Sequence, residues 1–136
     1  MHESFSGFAW LKTVLWSDTQ IKSLVPGGVR RGYAPFNTPT PYIILALQSG
    51  ADVLTANAFR LMASLVYQIQ VVGPASNTEA LVQAANRIDE LLKRRTGTNN
   101  GSRITCFRES SLSYDELVEG EMWTHIGGLY RLQITE

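Results

Sequence analysis

The sequence predicts an α+β fold: a mostly antiparallel β-sheet with helices packed on one face, in a single domain over residues 1–136. Three observations lead there. Leu65-Val66-Tyr67-Gln68-Ile69-Gln70-Val71-Val72 alternates apolar and amide side chains, the period of a strand with one buried face. A strongly amphipathic stretch at helical spacing follows it directly, and Gly128–Thr135 supplies a closing strand able to pair beside the first. Strands and helices in this order, without strict βαβ alternation, favour a sheet with its helices on one side.

Composition narrows the classes. A chain of 136 residues with 44% hydrophobic and 18% charged residues is long enough for one real core. Twelve basic residues balance twelve acidic ones, which excludes a general electrostatic attraction to nucleic acid or to an anionic membrane. Any DNA contact is expected to be local and independent of sequence. One cysteine, Cys106, excludes an intrachain disulfide, and Met1-His2-Glu3-Ser4 lacks the basic-then-apolar layout of a secretory signal. The apolar runs fall far short of the ~20 residues of a membrane span. The expectation is a soluble protein from a reducing compartment.

Phe5–Trp16 is apolar round most of a helix, which predicts burial on more than one side, between its own sheet and a neighbour. Ser17-Asp18-Thr19-Gln20 reads as a capping box opening a short helix that ends near Val25, and Pro26-Gly27-Gly28 stops it. Val29–Tyr33 is a short strand, and Pro35, Pro39 and Pro41 punctuate an extended loop. Tyr42–Leu47 is continuously apolar, as expected for a central strand covered on both faces. Ala51–Met62 mixes Asp52, Asn57 and Arg60 with Leu54, Phe59, Leu61 and Met62, giving an exposed loop or hairpin arm with surplus apolar surface.

After Gly73-Pro74, Ser76-Asn77-Thr78-Glu79 reads as a second capping box. In the helix that follows, Leu81, Ala84, Ala85, Ile88, Leu91 and Leu92 share a face opposite Gln83, Arg87, Glu90 and Arg94. Asp89 with Lys93 and Glu90 with Arg94 are favourably ordered pairs. Lys93-Arg94-Arg95 reads as the last helical turn, where cations complement exposed carbonyls. Thr96–Gly101 is a turn-rich exit before a strand Arg103–Arg108, and in the closing strand Arg131, Gln133 and Thr135 line the face opposite Tyr130, Leu132 and Ile134.

No catalytic or metal-binding constellation emerges, and no cofactor is expected. His2 and His125 lie at no metal-ligand spacing from each other or from Cys106. Cys106, within a strand and without an activating base nearby in sequence, reads as a small core hydrophobe. Gly127-Gly128 precedes a strand rather than a helix and lacks the lysine and hydroxyl of a phosphate loop, so it reads as a turn or bulge. Asp115, Glu116, Glu119 and Glu121 read as a solvated loop rather than a catalytic carboxylate pair.

The candidate sites are therefore surfaces. Gln68, Gln70, Arg131 and Gln133 form a polar sheet face suited to a ring lumen or a hydrated contact. Phe59, Met62, Tyr114, Met122 and Trp123 are candidate partner contacts, because large apolar groups interleaved with charge suit a docking arm. Arg30 and Arg31 read as exposed strand residues, a source of inter-subunit ion pairs, or candidate DNA-facing cations of a ring lumen.

In this order and with these residues the chain resembles the tail terminator, or tail-completion, proteins of long-tailed bacteriophages. The matching pieces are the N-terminal helix and short capped helix leading to Pro26-Gly27-Gly28-Val29, the opening Pro41-Tyr42-Ile43, the strand Tyr67-Gln68-Ile69-Gln70-Val71 running into helix Thr78–Lys93, and the ending Gly128-Leu129-Tyr130-Arg131-Leu132-Gln133. The resemblance covers most of the chain. It departs from a minimal member in Ser110–Ile126, which is longer and more acidic than a simple hairpin turn. The resemblance implies a non-enzymatic virion protein at the tail–neck junction, made in the host cytoplasm. Such proteins form rings, commonly hexameric, whose partners are further copies, the tail tube protein and a neck connector or adaptor, with DNA passing through the lumen. A head-closure or adaptor ring is the alternative within the virion. A small ligand-binding or enzymatic α+β domain is the alternative outside it.

Overall fold

The computed structural model describes residues 3–54 and 60–135. One six-stranded sheet runs in the order β1-β2-β3-β6-β5-β4. Its strands are β1 (Val29–Arg31), β2 (Tyr42–Leu54), β3 (Arg60–Pro74), β4 (Arg94–Asn99), β5 (Ser102–Val118) and β6 (Glu121–Thr135). Only β1 pairs parallel to its neighbour; the other pairings are antiparallel. Helices α1 (Glu3–Trp16), α2 (Thr19–Leu24) and α3 (Thr78–Leu92) pack on one face, so the α+β architecture matches the expectation.

The expected α3 stripe forms: Leu81, Ala84, Ile88 and Leu92 are buried against the sheet, with Ala85 and Leu91 packed at the margin. Beneath them lie Leu65, Tyr67, Ile69 and Val71 of β3 with Tyr130, Leu132 and Ile134 of β6. Part of the all-round apolar character of helix α1 is used within the chain, against its own sheet. Trp10 abuts β4, where a side-chain carbon on Gly97 would stand 2.5 Å from the indole nitrogen, and Asn99 donates to the Ser6 hydroxyl at 3.0 Å. On the opposite side, Arg31 of β1 lies over the rings of Phe5 and Phe8, 4.9 and 5.5 Å from their centres. Since β1 and β4 are the two edges of the sheet, α1 is held by both edges of its own curled sheet.

The curl has a visible origin. Leu47, Tyr67, Tyr130 and Arg108 stand opposite one another in a row across β2, β3, β6 and β5. Immediately past that row the register shifts in both outer strands, between Leu47 and Ser49 and between Arg108 and Ser110. Bulges sharpen local twist. Between them, β6 carries Gly127 and Gly128 opposite Gln70 and Ile69. A side-chain carbon on Gly127 would clash with the Ile69 carbonyl oxygen, so the close approach of two backbones requires glycine there. The turn or bulge expected at Gly127-Gly128 is instead part of a continuous strand in regular register with β3.

Several local expectations are corrected. Asp18, not Ser17, caps α2, its carboxylate accepting from the Ile21 amide at 3.0 Å. A 3-10 turn, Ala75–Asn77, precedes α3, whose start has no side-chain cap; the Thr78 hydroxyl donates back to the Ala75 carbonyl instead. Arg94 and Arg95 belong to β4 rather than to the last helical turn, so Arg94 is no helical partner for Glu90; Arg87 bonds Glu90 at 2.9 Å. Thr96–Asn99 continues that strand, because Asn100-Gly101, with φ of 49° and 85°, makes a two-residue turn into β5. Strand β1 stops at Arg31, and β2 lies second from the edge, with β3 and β6 at the centre.

Candidate assembly interface

Strand alternation places Gln68, Gln70, Arg131 and Gln133 on the face away from the helices, as expected. The structure divides them between two clusters. In the first, Gln70 is only 6% exposed. Its amide nitrogen donates to the Gln68 carbonyl oxygen at 2.8 Å, and its own oxygen accepts from the Tyr114 hydroxyl at 3.2 Å. That oxygen also lies 2.8 Å from His125 Nδ1, the protonated nitrogen in the tautomer this contact requires. The His125 ring stacks on Tyr114, centres 4.3 Å apart, and its Nε2 lies 3.6 Å from Glu116. Burial lowers the His125 pKa below the ordinary imidazole value, outweighing the opposing pull of Glu116 and Asp115. This cluster floors an open depression of about 350 Å³ edged by Tyr33, Tyr42 and Ile44.

In the second cluster Arg131 donates from Nε to Glu109, the bulge residue of β5, and from Nη1 to the Ser64 hydroxyl. Gln133 stands half-buried between Ser64 and Thr105 in the ladder. Among the described residues no buried side-chain nitrogen or oxygen lacks a hydrogen-bond partner, which is how a sheet face without helices hides amides at low cost.

Two hairpins extend at opposite ends of the sheet. Beyond the pair Ala63–Ile134, β2 and β3 continue without β6 and form an arm on which Met62 pairs with Val53 and Leu54 is 56% exposed. Phe59 lies outside the described residues. At the other end, Ser110–Ile126 is not a loop but the two strands of the β5–β6 hairpin, closed at Glu119-Gly120 by positive φ at both residues. Its tip exposes Leu117 (67%) and Met122 (45%). Trp123 is half-buried, opposite Pro74 and 6.4 Å from the Tyr42 ring, so it supports the arm more than it tips it. From Arg108 to Val118 the outer edge of β5 has no strand beside it among the described residues.

Arg30 and Arg31 are exposed on the β1 edge; Arg30 Nε donates to the Gly27 carbonyl at 3.1 Å. Cys106 is fully buried, and burial pushes its thiol up to about 12, the state of an inert core residue. No group of three or more His, Cys, Asp or Glu residues among those described converges as a metal site.

Sequence reasoning missed Tyr114 and His125 as partners of Gln70. The signal lay in the tip: a two-residue turn at Glu119-Gly120 puts Val118 opposite Glu121 and therefore Tyr114 opposite His125.

No family model matches the sequence, and no curated protein matches it. Among solved structures, the fold is similar to that of a chain in the virion of a native gene transfer agent particle. The two are 18% identical and superpose with a TM-score of 0.70 over 93% of this chain and 92% of that one. A second solved chain, 16% identical, superposes with a TM-score of 0.55 over 79% of each. At these identities the likeness is one of fold.

Proposed function

We propose that this protein is a structural subunit of a phage-like virion. In this reading copies of it form a hexameric ring at the head-proximal end of the tail, end the tail tube and join it to the neck. The observation that carries the reading is the pair of hairpin arms. They leave the sheet at opposite ends and present Leu54 on one and Leu117 and Met122 on the other, a layout that lets one subunit engage a partner above and another below. The similarity in fold to a chain of a gene transfer agent virion supports it over nearly the whole length. The polar face bearing Gln68, Arg131 and Gln133 then lines a lumen or a hydrated subunit contact, and the mechanism is interface complementarity rather than chemistry.

Tail assembly with and without the protein tests this. Tubes capped by a ring and competent to join heads are expected with it, and uncapped or head-less tubes without it, by electron microscopy. Leu54→Asp with Met122→Asp should reduce attachment by about tenfold or more while the chain melts normally. Unchanged capping by that variant, or a wild-type chain that never associates with tails, refutes the reading. A ring seated on the connector and not on the tube replaces the terminator by an adaptor.

A further inference from the structure

The β5–β6 tip and the α1–β1 edge carry opposite charge and share apolar character. Between Glu109 and Tyr130 the sequence holds five acidic residues and no lysine or arginine, and only Glu109 is committed to an arginine, Arg131. Glu116, Glu119 and Glu121 crowd the tip beside Leu117 and Met122. From residue 4 to 51 the balance reverses. Four cations, Lys12, Lys22, Arg30 and Arg31, face a single acid, Asp18, which Arg87 already holds in a two-pronged contact of 2.7 and 3.0 Å. Three of those cations, Lys12, Arg30 and Arg31, line a groove of about 290 Å³ with Phe5, Phe8 and Val29, and Phe5 is 55% exposed.

The two surfaces lie on opposite faces of the sheet: Glu116 and Val118 of the hairpin line a depression with Tyr42 and Val72 on the helix-free face, whereas the groove lies between α1 and β1 on the helix side. They lie at different edges, so the tip of one copy is placed to meet the groove of another. Both also lie on sheet edges, where backbone groups without a strand partner await a cover.

We infer that the acidic β5–β6 tip of one copy docks in the basic α1–β1 groove of the next. Contact between two different patches is head-to-tail, the arrangement that closes into a ring when the rotation permits. The inference rests on the ring reading proposed above and names its subunit contact. It also assigns Arg30 and Arg31 to a neighbouring subunit rather than to DNA. Arg31, spread over Phe5 and Phe8, is pre-set for a carboxylate while those rings accept the tip's apolar side chains.

Charge reversal tests it in the full-length chain, with oligomeric state read by light scattering and folding by thermal melting. Arg30→Glu with Arg31→Glu, and separately Glu119→Lys with Glu121→Lys, should each weaken self-association by about tenfold or more, because like charges then face each other. An equimolar mixture of the two variants should restore a closed ring with an even number of subunits, since contacts between unmodified surfaces then alternate with contacts reversed on both sides, and both kinds pair opposite charges. The quadruple variant, in which every contact is reversed on both sides, should restore the ring. Wild-type association should also weaken as salt rises. If the wild type forms rings and both reversed pairs form them equally well, the docking assignment fails while the ring reading stands. If the arginine pair abolishes retention of double-stranded DNA without changing the ring, the cations face the lumen and the assignment fails. If the wild type is monomeric both in solution and on purified tails, the ring reading fails and this contact with it.

Discussion

On the helix-covered face of β3, Leu65, Tyr67, Ile69 and Val71 are buried under α1 and α3; on the opposite face of the same strand, Val66, Gln70 and Val72 are hidden almost as fully with no helix above them. The first face is dry and is organised by shape: the α3 stripe, the edge-on contact of Phe8 with Tyr67 at 5.0 Å, and Leu132 and Ile134 alongside. The second is organised by hydrogen bonds, with Gln70 as the shared partner of Gln68, Tyr114 and His125. Equal burial therefore hides unequal energetics. Apolar area removed from water stabilises the first face, whereas the second gains little from each bond yet loses much if one partner is deleted.

The comparison breaks most sharply on the helix side. Ile88→Asp would place an unpaired carboxylate in the dry face and should cost several kcal/mol, enough to unfold a domain of ordinary stability. Recovery of folded protein with an unchanged melting temperature would contradict the packing described. On the open face, Gln70→Ala should cost about 1–3 kcal/mol, because Tyr114 and His125 lose their acceptor, while Gln133→Ala, at the half-buried margin, should stay within about 0.5 kcal/mol. Urea denaturation of the two variants side by side measures the contrast, and equal losses would show that Gln70 is no hub.

The smallest effect is pH dependence. His125 binds a proton less readily in the folded chain than in the unfolded one, so acidification favours the unfolded state. Stability from this group is present above the unfolded imidazole value, about 6.5, and falls as pH drops towards the lower folded value. Asp18, whose carboxyl Arg87 holds below the usual range, contributes in the same direction but only once pH falls below about 4. Denaturation midpoints should therefore begin to decline as pH falls through about 6.5. His125→Gln should flatten that decline, and a decline of the same size in the variant would assign it elsewhere.

The sequence by itself determined the elements whose partners are local in kind. The alternation of Leu65–Val72 and the α3 stripe each specify one buried face whatever lies opposite, so the α+β class and the helix-covered core were legible. The separation of Gln68 and Gln70 from the core followed from the same period. Asn100-Gly101 is a hairpin signal legible in the sequence, whereas at Glu119-Gly120 the surrounding acids imitate a solvated loop. Only the tertiary structure decided that α1 is clasped by β1 and β4, that Gly127 marks a backbone approach, and that His125 reaches Gln70 fifty-five residues away. Each of these depends on strand order and curl. Register between distant strands is set by which faces find cover and where bulges fall, and those are properties of the assembled sheet rather than of any stretch of chain.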